Sequence, residues 1–203
     1  MRKHTLETIT DRRRQRLETV LRRRQNTLSI VLENVWDPHN VSAILRSADA
    51  TGIHTVHLLY TVEEPPNLLR HGKQSSASAK KWLETVLHTD VDSCFAALRS
   101  QGFRVYASHL TREAVGLHSI DFTQPTAIIL GNENRGVSDE ACERADGVYF
   151  IPMMGMVESL NVSVAAAVSL YEALRQRNAA GMYDTPQLGE TVLQETLRSW
   201  AQL

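Results

Sequence analysis

Cysteine is scarce: Cys94 and Cys142 are the only two in 203 residues. Two thiols are too few for a disulfide framework, so a reducing cytoplasm is the expected setting. The sequons at Asn40 and Asn161 are then idle. Long apolar runs are missing too. No stretch reaches the roughly 18 residues that suggest a membrane span, and residues 1–25 lack a secretory signal's apolar core; no membrane partner is expected. The eight histidines are scattered, with no His-Glu-x-x-His and no Cys-x-x-Cys, so no metal site is expected. His54 and His57, three apart in a strand, should face opposite ways. A dinucleotide fingerprint is absent. GNENRGVS (131–138) has the two glycines of a phosphate loop but Val137 where that loop needs Lys. Ser108 and His109 lack a placed acid, which makes a poor hydrolase. Internal repeats and low-complexity tracts are also lacking.

Charge is present but unevenly spread. The net charge is −1, yet residues 1–25 carry +6 and the remainder −7. A basic arm on an acidic body suggests a polyanion partner, although a solvated helix explains it as well. Leu6, Ile9, Leu17, Val20 and Leu21 recur at near-helical spacing among the arginines, which predicts an amphipathic helix over 5–24. Short apolar runs at 28–33, 54–60, 103–109, 126–131 and 147–152 suit strands buried on both faces of a parallel sheet. Helices are expected over 40–52, 91–102, 138–146, 161–181 and 189–201, with a loop and a short helix at 61–80. Strand–helix alternation predicts an α/β domain with a mostly parallel sheet flanked by helices. Expected boundaries are a basic helical extension (1–26), the main domain (27–182) and a tail with a helix (183–203).

Ligands of such sheets bind beyond the carboxyl ends of the strands, which makes the polar loops at 33–40, 107–113, 131–138 and 151–161 candidates to converge. In 131–138 the glycines are either turn residues or let a ligand approach the backbone, with Glu133 and Arg135 at the rim. Asn40 is a candidate helix cap. Arg46 interrupts the apolar set Val41, Ile44, Leu45 and Ala48, so it needs an acid or a phosphate; Asp49 at i+3 is the simplest partner. Ser159 and Asn161, ahead of a long apolar helix, either cap it or hold a ligand.

Three stretches, NVWDPHNVSAILRSADATG (34–52), ILGNENRGVS (129–138) and IPMMGMVESLNVSVAAAVSLYEALRQR (151–177), resemble in order the three motifs of the SPOUT-class RNA 2′-O-ribose methyltransferases, and most closely the TrmH type, which modifies guanosine 18 of tRNA. The resemblance covers nearly the whole chain. It implies a C-terminal trefoil knot, S-adenosylmethionine as cofactor, tRNA as partner and a homodimer whose subunits pack to complete the site. It also implies catalytic-site roles for Arg46, Asn40, Glu133, Ser159 and Asn161, with Glu133 acting through Arg46. Cofactor contacts fall to Ser108, Gly131, Ile151, Met153 and Leu160. RNA contacts fall to Arg12, Arg13, Arg14, Arg16, Arg22, Arg23 and Arg24, with Arg175 and Arg177 as RNA contacts or cofactor-site support. Trp36 stands where the family pattern has His, and residues 61–80 also depart from it. Ribosomal RNA is the alternative substrate, and a non-catalytic RNA-binding protein of the same fold the alternative class.

Overall fold

The computed structural model describes residues 6, 8–66 and 77–203. Its elements run α1 (Asp11–Leu21), β1 (Leu28–Glu33), α2 (Pro38–Ala50), β2 (Thr55–Leu59), α3 (Ala77–Lys80), β3 (Glu84–His88), α4 (Val91–Ser100), β4 (Arg104–Ser108), β5 (Val115–Gly116), a 3-10 turn (Leu117–Ser119), β6 (Thr126–Leu130), α5 (Asp139–Arg144), β7 (Gly147–Phe150), α6 (Val162–Ala179) and α7 (Glu190–Ala201). The seven strands form one sheet in the order β3-β2-β1-β6-β4-β7-β5. Every pairing is parallel.

The central strands β1 and β6 are buried along their whole length, as their unbroken apolar runs require. Alternate residues feed two cores. Leu28, Ile30 and Leu32 meet Ile44 and Leu45 of α2 and Leu170 and Ala173 of α6. On the other face Val31, Ala127 and Ile129 meet Cys94, Phe95 and Leu98 of α4 and Ala141 of α5. Each of the Leu, Ile, Val and Phe side chains among them contributes about 1.5–3 kcal/mol by leaving water.

A third cluster joins the two ends of the chain: Leu17 and Leu21 of α1 pack with Leu193, Leu197 and Trp200 of α7. The helix expected over 5–24 is therefore shorter. It starts at Asp11 because the Thr10 hydroxyl accepts the Arg13 N–H and caps it; residues 5 and 7 lie outside the described residues. Residues 67–76 of the segment 61–80 do so too, and its short helix is α3. Strand β3 is unannounced by the sequence because it is an edge strand, exposed along all but its last residue. Strand β5 has only two residues. Among the described residues no helix is long and apolar enough to cross a membrane.

Candidate active site

The loops after β1, β4, β6 and β7 converge at the carboxyl ends of the strands. The β1 loop turns at Asn34, whose φ of 53° lies in the left-handed region that Asn tolerates. Its side-chain oxygen accepts the N–H groups of Thr61, Val62 and Glu63. Its carbonyl accepts the Asn132 amide at 2.9 Å, which ties this loop to the β6 loop. Asn132 also accepts the N–H groups of Asn134 and Arg135. Asn132 and Gly136 exchange two backbone hydrogen bonds, at 3.0 and 2.8 Å. The loop closes so tightly that a Cβ on Gly131 would sit 2.0 Å from Gly136 backbone atoms, and Gly136 has φ +72°. Both glycines are thus required by the turn. The loop's far end is held by buried Glu33, whose carboxylate accepts the Ser138 N–H and hydroxyl.

Glu133 is the junction of this region. Its carboxylate accepts the N–H groups of Trp36 (3.3 Å) and Asp37 (3.2 Å), and the Asn40 side-chain amide at 2.9 Å. A carboxylate beside the first turn of α2 is favoured by the helix dipole. Asn161 then donates to the Asn40 oxygen at 3.1 Å, while its own oxygen accepts the Ser163 N–H and hydroxyl. Glu133, Asn40 and Asn161 therefore form one hydrogen-bonded line through the three motif loops.

Two capping alternatives resolve here. Asp37, not Asn40, caps α2 by accepting the His39 N–H, and this frees the buried Asn40 for Glu133 and Asn161. Asn161 caps α6. Ser159 is an exposed residue of the loop before it.

Beside this line lies a cleft of about 530 Å³. Its lining includes Ser108, Gly131, Ile151, Met153 and Leu160, together with Glu133, Ser159 and Asn161. Tyr149 forms part of its floor. Its hydroxyl shares a hydrogen bond of 2.9 Å with Ser169, and burial pushes it up to about 12. A somewhat larger cleft, about 630 Å³, lies under α7 and includes His54, Trp82 and Trp200. None of the motif residues line it, so the smaller cleft is the candidate site.

Arg46 is not in this assembly. It is exposed on α2 and absent from the lining of the cleft. Its expected partner Asp49 is taken by Arg24, and the Glu133 carboxylate bonds Asn40 and the backbone N–H groups of Trp36 and Asp37, just ahead of α2. Six residues from Asn40, Arg46 lies on a different side of the helix.

Two of the expected RNA-contact arginines are corrected by burial. Arg24 is fully buried; it donates to the carbonyls of Ile53 (2.7 Å) and Trp82 (3.1 Å), pairs with Asp49 and lies over the Trp200 ring. Arg177 is also fully buried and donates to the carbonyls of Phe122, Thr27 and Gln124, the Gln25 side chain and the Thr27 hydroxyl. Burial lowers it to about 10. Both anchor the chain ends to the sheet and present nothing to RNA. Arg175 is exposed but held by two bonds to Glu172, whose carboxyl that pairing brings down to about 2. Arg12, Arg13, Arg14, Arg16, Arg22 and Arg23 are exposed.

Sequence reasoning passed over Asn34, Asn132 and Tyr149. The first two were legible in kind: an Asn at each strand end is the residue that tolerates left-handed backbone and bonds its neighbours' N–H groups. Nothing local marked Tyr149.

A family model described as "SpoU rRNA Methylase family" matches residues 27–171. The tRNA (guanosine(18)-2′-O)-methyltransferase of Thermus thermophilus is 47% identical over 191 residues, 94% of this chain and 96% of that protein. The solved Aquifex aeolicus TrmH/SpoU tRNA modifying enzyme has a TM-score of 0.86 at 37% identity, covering 94% of this chain and 95% of its own. The SpoU methyltransferase AviRb from Streptomyces viridochromogenes, solved with AdoMet, has a TM-score of 0.65 at 30% identity, covering 77% of this chain and 62% of its own.

Proposed function

The chain belongs to the SpoU rRNA methylase family, and from that premise we propose that it transfers the methyl group of S-adenosylmethionine to the ribose 2′-hydroxyl of guanosine 18 in tRNA. The observation that carries this reading is the convergence of loops at one end of the sheet: all five residues expected to meet the cofactor line the same cleft as Glu133, Ser159 and Asn161, and Asn40 of the first motif is bonded to Glu133 and Asn161. Support for tRNA as substrate comes from the Thermus relative, which bears that activity in its name and is matched over nearly its full length. The cytoplasm is the proposed setting, and the trefoil knot of the fold is part of the same proposal.

The cleft fits the cofactor. About 530 Å³ lies within the roughly 300–1,000 Å³ of small-molecule pockets. Leu130, Ile151, Met153, Leu160, Val162 and Ala165 give it apolar walls, while Glu133 and Glu158 bring carboxylates suited to a cation. When bound there, S-adenosylmethionine supplies an electrophilic methyl on a good leaving group. The protein's own task is to align the ribose oxygen with it and to help remove a proton. Asn40 and Asn161, locked by Glu133, fix the loops that shape the acceptor side. A guanidinium is a poor candidate for a general base; Arg46 instead grips the phosphate beside the target ribose and stabilises the developing alkoxide.

Arg46 reaches a cleft by dimerisation. Val164, Val168 and Tyr171 form an exposed stripe on α6, and Met154, Met156 and Val157 are exposed in the loop that leads into it. Apolar surface of this kind marks an interface. Helix α6 packs on α2, which carries Arg46, so a second copy seated on the stripe brings Arg46 of one subunit to the cleft of the other. The exposed arginines of α1 supply sequence-independent phosphate contacts. Residues 1–26 and 183–203 flank a catalytic domain of 27–182, and α1 and α7 act as one helical unit.

The test is complementation. Arg46→Ala should abolish turnover and leave cofactor binding intact, as should be seen by calorimetry. Mixing it with an inactive cleft variant, Gly131→Val, should restore about a quarter to a half of wild-type activity, as expected when mixed two-fold dimers hold one intact composite site. No recovery in proven mixed dimers would place Arg46 and the cleft in the same subunit's site.

A further inference from the structure

The histidines that looked scattered are not all scattered in space. His57 on β2, His88 at the end of β3 and Cys94 on the first turn of α4 meet under α4, on the sheet face opposite α2 and α6. Their donor atoms all lie within 4.8 Å of one another. His57 Nδ1 and His88 Nε2 are 2.9 Å apart, with the rings nearly parallel at 15°. The three residues are 2%, 7% and 0% exposed. None belongs to the catalytic cleft or to the three motif loops.

We propose that His57, His88 and Cys94 form a binding site for a zinc-type divalent cation. The donor set is the borderline-soft one that zinc prefers: two imidazole nitrogens and a thiolate. Tetrahedral zinc, with Zn–N about 2.0–2.1 Å and Zn–S about 2.3 Å, sets adjacent donors roughly 3.3–3.6 Å apart. The observed spacing brackets this, so side-chain shifts of about an ångström suffice. In the metal-free protein one imidazole donates its proton to the other. On binding, His57 Nδ1 and His88 Nε2 both face the ion, so each ring carries its proton on its other nitrogen; the Cys94 S–H bond breaks as the S–metal bond forms, and one proton leaves per ion. Burial and the nearby carboxylates of Glu33 and Asp90 hold the free thiol protonated, up to about 12; the same carboxylates offset the charge of a divalent ion. Asp90 is itself engaged with the Ser93 N–H and hydroxyl, which leaves the fourth position to water. The ion pins edge strand β3, paired only to β2, to its neighbour and to α4.

Cobalt(II) titration of the full chain under a non-thiol reductant tests this. The expected result is one ion per chain, a thiolate-to-cobalt absorption band, release of one proton and displacement by zinc. The band should vanish in Cys94→Ser and persist in Cys142→Ser. Zinc should raise the melting temperature of the wild type and Cys142→Ser only. If Cys94→Ser does not fold, His88→Gln at the sheet edge should weaken cobalt binding more than about tenfold, since losing even an outer partner of a ligand costs 10–100-fold. Absence of the band in the folded wild type, or its survival in Cys94→Ser or at full affinity in His88→Gln, overturns the proposal.

Discussion

Replacing Glu133 probes the line of bonds that holds the motif loops together. Its carboxylate accepts two backbone N–H groups and the Asn40 amide. Hydrogen bonds to charged groups contribute about 1.5–3 kcal/mol each. Two of these are long and Glu133 is only half-buried, so about 1 kcal/mol each is the better figure. Glu133→Ala should then cost about 3 kcal/mol, and at about 2–4 °C per kcal/mol the melting temperature should fall by about 6–12 °C. Glu133→Gln can keep the oxygen facing Asp37 and Asn40 while setting an NH₂ against the Trp36 N–H. It should lose about 1 kcal/mol, or about 2–4 °C. Activity should fall further than stability. Loosening the loops by an ångström costs about 100-fold, so kcat/KM of Glu133→Ala should drop at least that much at a temperature where it is fully folded. Scanning calorimetry and steady-state kinetics on Glu133→Ala, Asn40→Ala and the double variant complete the cycle. Coupling of about 1 kcal/mol is expected between the two sites. Additive effects, or a Glu133→Ala protein that melts within a degree of wild type, would refute the junction.

Four further outcomes follow from the geometry. Asn40→Asp sets two carboxylates at a 2.9 Å contact; one must hold a proton, so the variant should be least stable above pH 7 and recover toward pH 5 in denaturant titrations. Arg177→Met leaves five acceptors without their donor and, at about 1–3 kcal/mol for a buried group left unsatisfied, should cost at least about 3 kcal/mol, yet leave the salt dependence of tRNA affinity unchanged. Substituting Arg12, Arg13 and Arg16 together should instead lower the slope of log K against log salt by up to about 2–3, at roughly 0.7–0.9 per lost phosphate contact, with little change in melting temperature. The Arg175 pairing holds Glu172 at about 2, below its unfolded value. Its stabilisation is complete above about pH 4.5 and fades as pH falls toward 2; the stability gap between wild type and Arg175→Ala should close over that window.

Much of the fold was legible because its central strands are buried on both faces. Runs such as LSIVLE need no tertiary information, and β1 begins and ends where its sequence does. Edge strand β3 was not legible, since ETVLH carries Glu and His and turns most of its length to solvent. The loops that line the cleft were legible because they follow strand ends, where a parallel sheet gathers its loops; the individual residues within them came from the family resemblance. What failed was the reading of charge. Arg24 and Arg177 look like their exposed neighbours in the sequence, and only the packing of the chain ends against the sheet shows that their guanidiniums satisfy backbone carbonyls. Arg46 is a different case: on its own chain it stands outside the cleft, and a single sequence does not show what a second subunit would bring beside it. Likewise His57, His88 and Cys94 are far apart in sequence and meet only through β2, β3 and α4.

The most direct measurement is methyl-labelled S-adenosylmethionine incubated with the purified protein and unmodified tRNA, followed by mapping of the labelled nucleotide. Label on the ribose 2′-oxygen of guanosine 18, lost in Arg46→Ala, is the expected result. A folded wild-type protein that binds the cofactor yet labels only ribosomal RNA, a base, or nothing would contradict it.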